Sequence, residues 1–140
     1  MRDGNQAATF AERQKDHLPG DLGLEWEVVE TGRAKGGFTV RQGHMAPNGF
    51  MHAASVVCLV DSACGYACVA SLPDGASGFT TIEIKTNYLG TAKLGERVTC
   101  EARLVHGGRM TQVWDAEAKN ETTGKTIAVF RCTQMVLWPR

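Results

Sequence analysis

The chain has 140 residues, 43% of them hydrophobic, with 15 basic and 15 acidic side chains and no formal net charge. That length fills one hydrophobic core but not two, so residues 1–140 read as a single domain, with 1–20 as an N-terminal helix or arm. The balanced charge argues against a nucleic-acid partner, which usually shows as a basic excess.

Residues 6–17 have weak helical character and stop before Leu18-Pro19-Gly20. Leu22 to Glu30 mixes apolar, acidic and β-branched residues and suits a strand. Thr31 to Gly37 holds three glycines and reads as a turn, followed by a second strand over Phe38 to Gln42. Ala46-Pro47-Asn48-Gly49 is a further turn. A helix over 52–72 follows, with Ala53, Val56, Val57, Val60, Cys64 and Ala67 at helical spacing. Leu59 and Tyr66 make its other side apolar, so it should be buried nearly all round, ending at Pro73-Asp74-Gly75. From residue 79 the period falls to two: Phe79 to Leu89, Arg97 to Val105, Met110 to Lys119 and Lys125 to Trp138 alternate, with turns between them. The pattern predicts an α+β fold in which a curved antiparallel sheet of about six strands wraps one long helix. A sheet covers one side of such a helix, and a second subunit is the natural cover for the other.

The five cysteines, Cys58, Cys64, Cys68, Cys100 and Cys132, include no CxxC pair, and the opening residues are polar. No apolar run is read as reaching the roughly 18 residues that span a membrane. The expectation is free thiols in the cytoplasm, with no membrane partner. Cys64 and Cys68 lack the second pair or His that a metal site needs. Cys58 has no base beside it, and no phosphate-binding or dinucleotide-binding glycine motif occurs.

Asp61 interrupts the apolar helix, sharing a face with Ala54, Cys58, Gly65 and Cys68. An isolated ionised carboxylate in a dry core is costly, so it must be paired, protonated or open to a cavity. Spacing leaves two readings open: an ion pair or loop cap, and a carboxylate poised in a cleft. At the helix start, unpaired N–H groups near Ala53 and Ala54 lie at the positive end of the dipole, where a developing oxyanion could be held. Arg109, after Gly107-Gly108, is either a solvated turn residue or a phosphate contact, as is Lys93, with His106 at the same mouth.

The segments NGFMHAASVVCLVDSACGYAC, GFTTIEIKTNYLGTAKLGERV and GGRMTQVWDAEAKNETTGKTIA resemble the hotdog-fold acyl-CoA thioesterases, in particular the phenylacetate-degradation and 4-hydroxybenzoyl-CoA thioesterase branch. The resemblance spans about residues 20–138, and Gly49, His52 and Asp61 match its pattern of a glycine, a helix-start histidine and an acid nine positions on. It implies hydrolysis of an acyl-CoA, possibly aryl-CoA, thioester. Asp61 would be the nucleophile or general base, the Ala53 N–H would polarise the carbonyl, and His52 would hold the loop, with Asn48 and Gly49 shaping it. Thr81, from the facing subunit, would orient the water. Tyr88, Leu89, Gly90, Lys93, His106, Gly108 and Arg109 would touch coenzyme A, and Cys58, Tyr66, Phe79 and the N-terminal arm would shape the acyl pocket. No metal or redox cofactor is implied, coenzyme A arrives with the substrate, and the assembly is a homodimer or homotetramer. The chain departs from the family at His52-Ala53-Ala54, where relatives have His-Gly-Gly, and at Ala46, where they often carry Asn or Gln. Those departures keep two alternatives: an acyl-CoA-binding accessory protein without turnover, and a hotdog hydratase or dehydratase.

Overall fold

The computed structural model describes residues 4–140, so the first three residues of the predicted arm lie outside it. The elements are α1 (Ala7–Arg13), α2 (Leu18–Asp21), β1 (Glu25–Glu30), β2 (Arg33–Thr39), a 3-10 turn at Gln42–His44, α3 (Ala53–Ala70), β3 (Gly78–Tyr88), β4 (Arg97–Gly107), β5 (Thr111–Asn120) and β6 (Lys125–Leu137). The six strands form one sheet in the order β1-β2-β4-β5-β6-β3, every pair antiparallel. The sheet curls around α3, which sets Val56, Leu59, Val60, Ala63, Cys64, Ala67 and Cys68 into its concave face against Phe38 and Trp114. This is the hotdog arrangement.

The four predicted C-terminal strands stand within a few residues of their predicted bounds. The N-terminal half differs more. The turn expected over Thr31 to Gly37 is confined to Thr31 and Gly32, and β2 already starts at Arg33. Gly36 and Gly37 are strand residues because their neighbours come close. A Cβ on Gly36 would strike the Glu25 carbonyl and the Trp26 ring, and one on Gly37 would strike the Val98 carbonyl. The strand expected over Phe38 to Gln42 stops at Thr39, where the chain turns into the 3-10 segment. Leu18 opens a short helix instead of ending one, because Pro19 stands in its first turn, where the missing N–H has no acceptor to lose.

α3 is two residues shorter at its C-terminal end than predicted, with His52 and Ser71 as its caps. It is not buried all round: Ala53 and Ala54 are exposed and Val57, Cys58, Asp61 and Ser62 half-buried. Contrary to the sequence reading, its 18 residues are long and apolar enough to cross a membrane, but most of that window lies inside the sheet. All five cysteines are free thiols.

Candidate active site

Asp61 lies on the α3 flank that the sheet leaves open. Its Oδ1 is buried and has no hydrogen-bond partner, and no basic side chain pairs with it among the described residues. Burial pushes its carboxyl above the ordinary carboxylate range. Asp61 thus makes no ion pair among the described residues, and it lines a cleft. The cleft has a volume of about 430 Å³, with Phe10, Tyr66, Val69 and Phe79 as apolar walls, Asp61, Ser62 and Thr81 as polar lining, and Arg13 and His17 at the rim. A Cβ on Gly65 would sit 3.1 Å from the Phe79 ring, so glycine there lets that ring close onto the helix.

The N-terminal wall is fixed through Gln14. Its Nε2 donates to the Leu24 carbonyl at 2.6 Å, and its Oε1 accepts from Trp26 Nε1 at 2.8 Å and from the Tyr66 hydroxyl at 3.1 Å. The Phe10 ring stacks on Tyr66 at 4.6 Å, which carries α1 onto the cleft. Gln14 and Ser62 were not singled out in the sequence, and no local pattern marks either. Thr81 and Asp61 of the same chain line this cleft, whereas the sequence reading supplied Thr81 from the facing subunit.

The helix start ties down several of its donors. Gly49 has φ +87, and Asn48 Oδ1 accepts from the Phe50 N–H at 3.1 Å, closing the turn. His52 Nδ1 accepts from the Ala54 N–H at 3.0 Å, and the His52 carbonyl accepts from the Ser55 N–H at 3.0 Å. His52 N–H itself donates to the His44 carbonyl at 2.9 Å. In the first turn of α3 the N–H of Ala53, unlike those of Ala54 and Ser55, has no acceptor among the described residues. Tyr88 donates its hydroxyl to the Ala53 carbonyl at 2.8 Å, pinning the end of β3 to this turn.

Lys93 and Gly49 share a smaller hollow of about 370 Å³ with Phe50 and Leu94, near the helix start, and Leu89 is largely exposed beside it. The Gly90 N–H is tied to the Ile127 carbonyl at 3.1 Å. His106, Gly108 and Arg109 lie at the opposite end of the sheet. There Arg109 covers the Trp138 ring at 4.4 Å, just past the end of β6 that pairs with Gly78. A single chain thus does not bring the two predicted coenzyme A segments together. A larger hollow of about 630 Å³ on the outer sheet face, walled by charged residues such as Glu101, Arg103 and Lys119, does not include Asp61. Among the described residues no group of His, Cys, Asp and Glu is placed to hold a metal ion.

The sequence profile of the thioesterase superfamily matches residues 48–132. The chain is 31% identical to the 1,4-dihydroxy-2-naphthoyl-CoA hydrolase of Listeria monocytogenes, over 80% of this chain and 89% of that one. Among solved structures, it superposes on a mutant thioesterase of Pseudomonas aeruginosa with a TM-score of 0.89 at 26% identity, covering 97% of this chain and 96% of that one. It superposes on a mutant of the phenylacetic acid degradation protein PaaI of Thermus thermophilus with a TM-score of 0.78 at 27% identity, covering 86% and 98% respectively.

Proposed function

The chain belongs to the thioesterase superfamily and is an acyl-CoA thioesterase, and we propose that Asp61 is its catalytic carboxylate, in a site shared by two copies of the chain. The observation that carries this reading is the buried, unpartnered Asp61 Oδ1 in an apolar cleft. A carboxylate deprived of donors and solvent is a stronger base than one in water. Asp61 takes a proton from a water, and that water attacks the thioester carbon. The carbonyl oxygen becomes an oxyanion held by the Ala53 N–H. When the tetrahedral intermediate collapses, the C–S bond breaks and the proton passes to the departing thiolate.

Ala53 and Asp61 are eight positions apart on one helix, which is about 12 Å of axial rise. One thioester cannot touch both on the same helix, so the N–H and the carboxylate come from different copies. A two-fold axis passing beside half-buried Val57, midway between them, exchanges the two positions. β3 supports the pairing: it is a sheet edge of 11 residues with Ile82 and Ile84 exposed, an unpaired template for a second copy. Antiparallel pairing of two β3 strands sets the Gly78 end of one beside the Tyr88 end of the other. The segment from Tyr88 to Lys93 and the segment from His106 to Arg109, separated in one chain, then meet across the pair. Phe10, Tyr66 and Phe79 favour a flat aryl acyl group, in line with the name of the Listeria relative. The hydratase alternative needs a free His52 ring, whereas His52 Nδ1 is occupied capping α3. The chemistry requires no metal or redox cofactor, and the five free thiols suit the cytoplasm.

The test is Asp61→Asn, assayed by thiol release from a panel of aryl-CoA and short-chain acyl-CoA thioesters. Turnover should fall by about 10²–10⁴-fold with the fold retained. A variant that hydrolyses at the wild-type rate removes Asp61 from the mechanism.

A further inference from the structure

We infer that Gln134 is a positioning residue for hydrolysis: it commits the proton of the Thr81 hydroxyl, so that Thr81 can only accept a hydrogen bond from the attacking water. The inference rests on the reading of Asp61 as the base and of Thr81 as the residue that orients the water.

Along the inner face of β6, Ala128, Phe130, Cys132 and Val136 are buried and apolar, and Gln134 between the last two is fully buried. A primary amide at such a position is costly unless it is bonded, so its presence calls for a partner. Thr81, directly opposite on β3, donates its hydroxyl to Gln134 Oε1 at 2.7 Å. The other end of the amide, Nε2, donates to Cys132 Sγ at 3.4 Å. The β3 register shifts immediately after Thr81, a local break that re-aims strand side chains at a site.

A hydroxyl has one proton and two lone pairs. With its proton given to Gln134, Thr81 Oγ1 presents only lone pairs to the cleft it shares with Asp61. A water there can donate one hydrogen to Thr81 and the other to the unpartnered Asp61 Oδ1. Both protons are then engaged, and the two lone pairs of the water are left free to attack the thioester carbon. If the Thr81 hydroxyl were free to turn, it could donate to that water instead of accepting from it. That bond would occupy a lone pair of the water and turn it away from the thioester carbon.

The experiment uses Gln134→Met, Thr81→Val and the double variant in the intact chain, with benzoyl-CoA as the probe and thermal melting as the check on folding. Gln134→Met should lower kcat about 10- to 10²-fold with little change in KM. Thr81→Val should lower kcat at least as far, again with little change in KM. The double variant should be no slower than Thr81→Val, since Gln134 acts only through Thr81. If Thr81→Val is slow but a folded Gln134→Met keeps the wild-type kcat, the role of Gln134 is overturned and that of Thr81 survives. If Thr81→Val itself is unimpaired, the reading of Thr81 fails and the inference with it. The wild-type enzyme supplies a check that needs no variant to fold. The Thr81 hydroxyl proton, held on a buried amide oxygen, should exchange slowly enough for NMR and show proximity to the Gln134 methylenes; a rapidly exchanging proton with no such proximity overturns the proposal.

Discussion

Burial raises the Asp61 carboxyl pKa from its ordinary 3.8, so the unfolded chain releases this proton at lower pH than the folded one. Stability therefore falls as pH rises from 3.8 through the folded value, and at neutral pH the folded protein holds a charge it would rather shed. Asp61→Asn should melt a few degrees higher than wild type at pH 7, with the gap closing toward pH 4, while hydrolysis is lost; a lower melting temperature at pH 7 would contradict the account. His44 gives the opposite slope. It is buried, its Nδ1 accepts from the Arg41 N–H at 3.0 Å and its Nε2–H donates to the Leu22 carbonyl at 2.6 Å. Desolvation lowers its pKa below 6.5, so the unfolded state takes up a proton that the folded state refuses. Stability should be lost as pH falls through 6.5, and thermal melts of His44→Gln between pH 5 and 8 should show a flatter dependence than wild type. Asp61 was legible in the sequence because a lone charge stands out in an apolar run. Gln134 was not: it lies 53 positions from Thr81, and only the pairing of β3 with β6 makes them neighbours.

Alternation over nine or more residues made β3 to β6 readable, since each strand presents one face to α3. β2 was misread because glycine has two uses, conformational freedom in turns and close approach in strands, and the letter alone does not separate them. Gly32, with φ +79, has the first use. Gly36 and Gly37 have the second, which depends on Trp26 and Val98 in neighbouring strands. Gly36→Ala should accordingly cost about 1–3 kcal/mol, read as a lower urea midpoint at unchanged slope, whereas a turn glycine with negative φ would tolerate alanine. The apolar span of α3 was visible but its burial was overstated, because the side facing no strand looks the same in sequence as the side facing the sheet.

The whole molecule ends in an edge strand whose inner face is incomplete. Ile84, opposite buried Cys132, keeps 42% of its surface exposed. Ile84→Lys should give a monomer by analytical ultracentrifugation, and hydrolysis should fall with it; a monomer as active as wild type would refute a site shared between copies. One more consequence follows from the helix. α3 precedes β3 to β6, the four strands that supply most of its cover, and β6 finishes only at Leu137. At about 5–20 residues per second, a nascent chain presents a greasy rod of bilayer-spanning length for several seconds before its coat is made. An acidic group at the centre of such a rod opposes translocon insertion by roughly 2.5–3.5 kcal/mol. The carboxylate proposed above as the catalytic base would thereby also steer the half-made chain away from lipid.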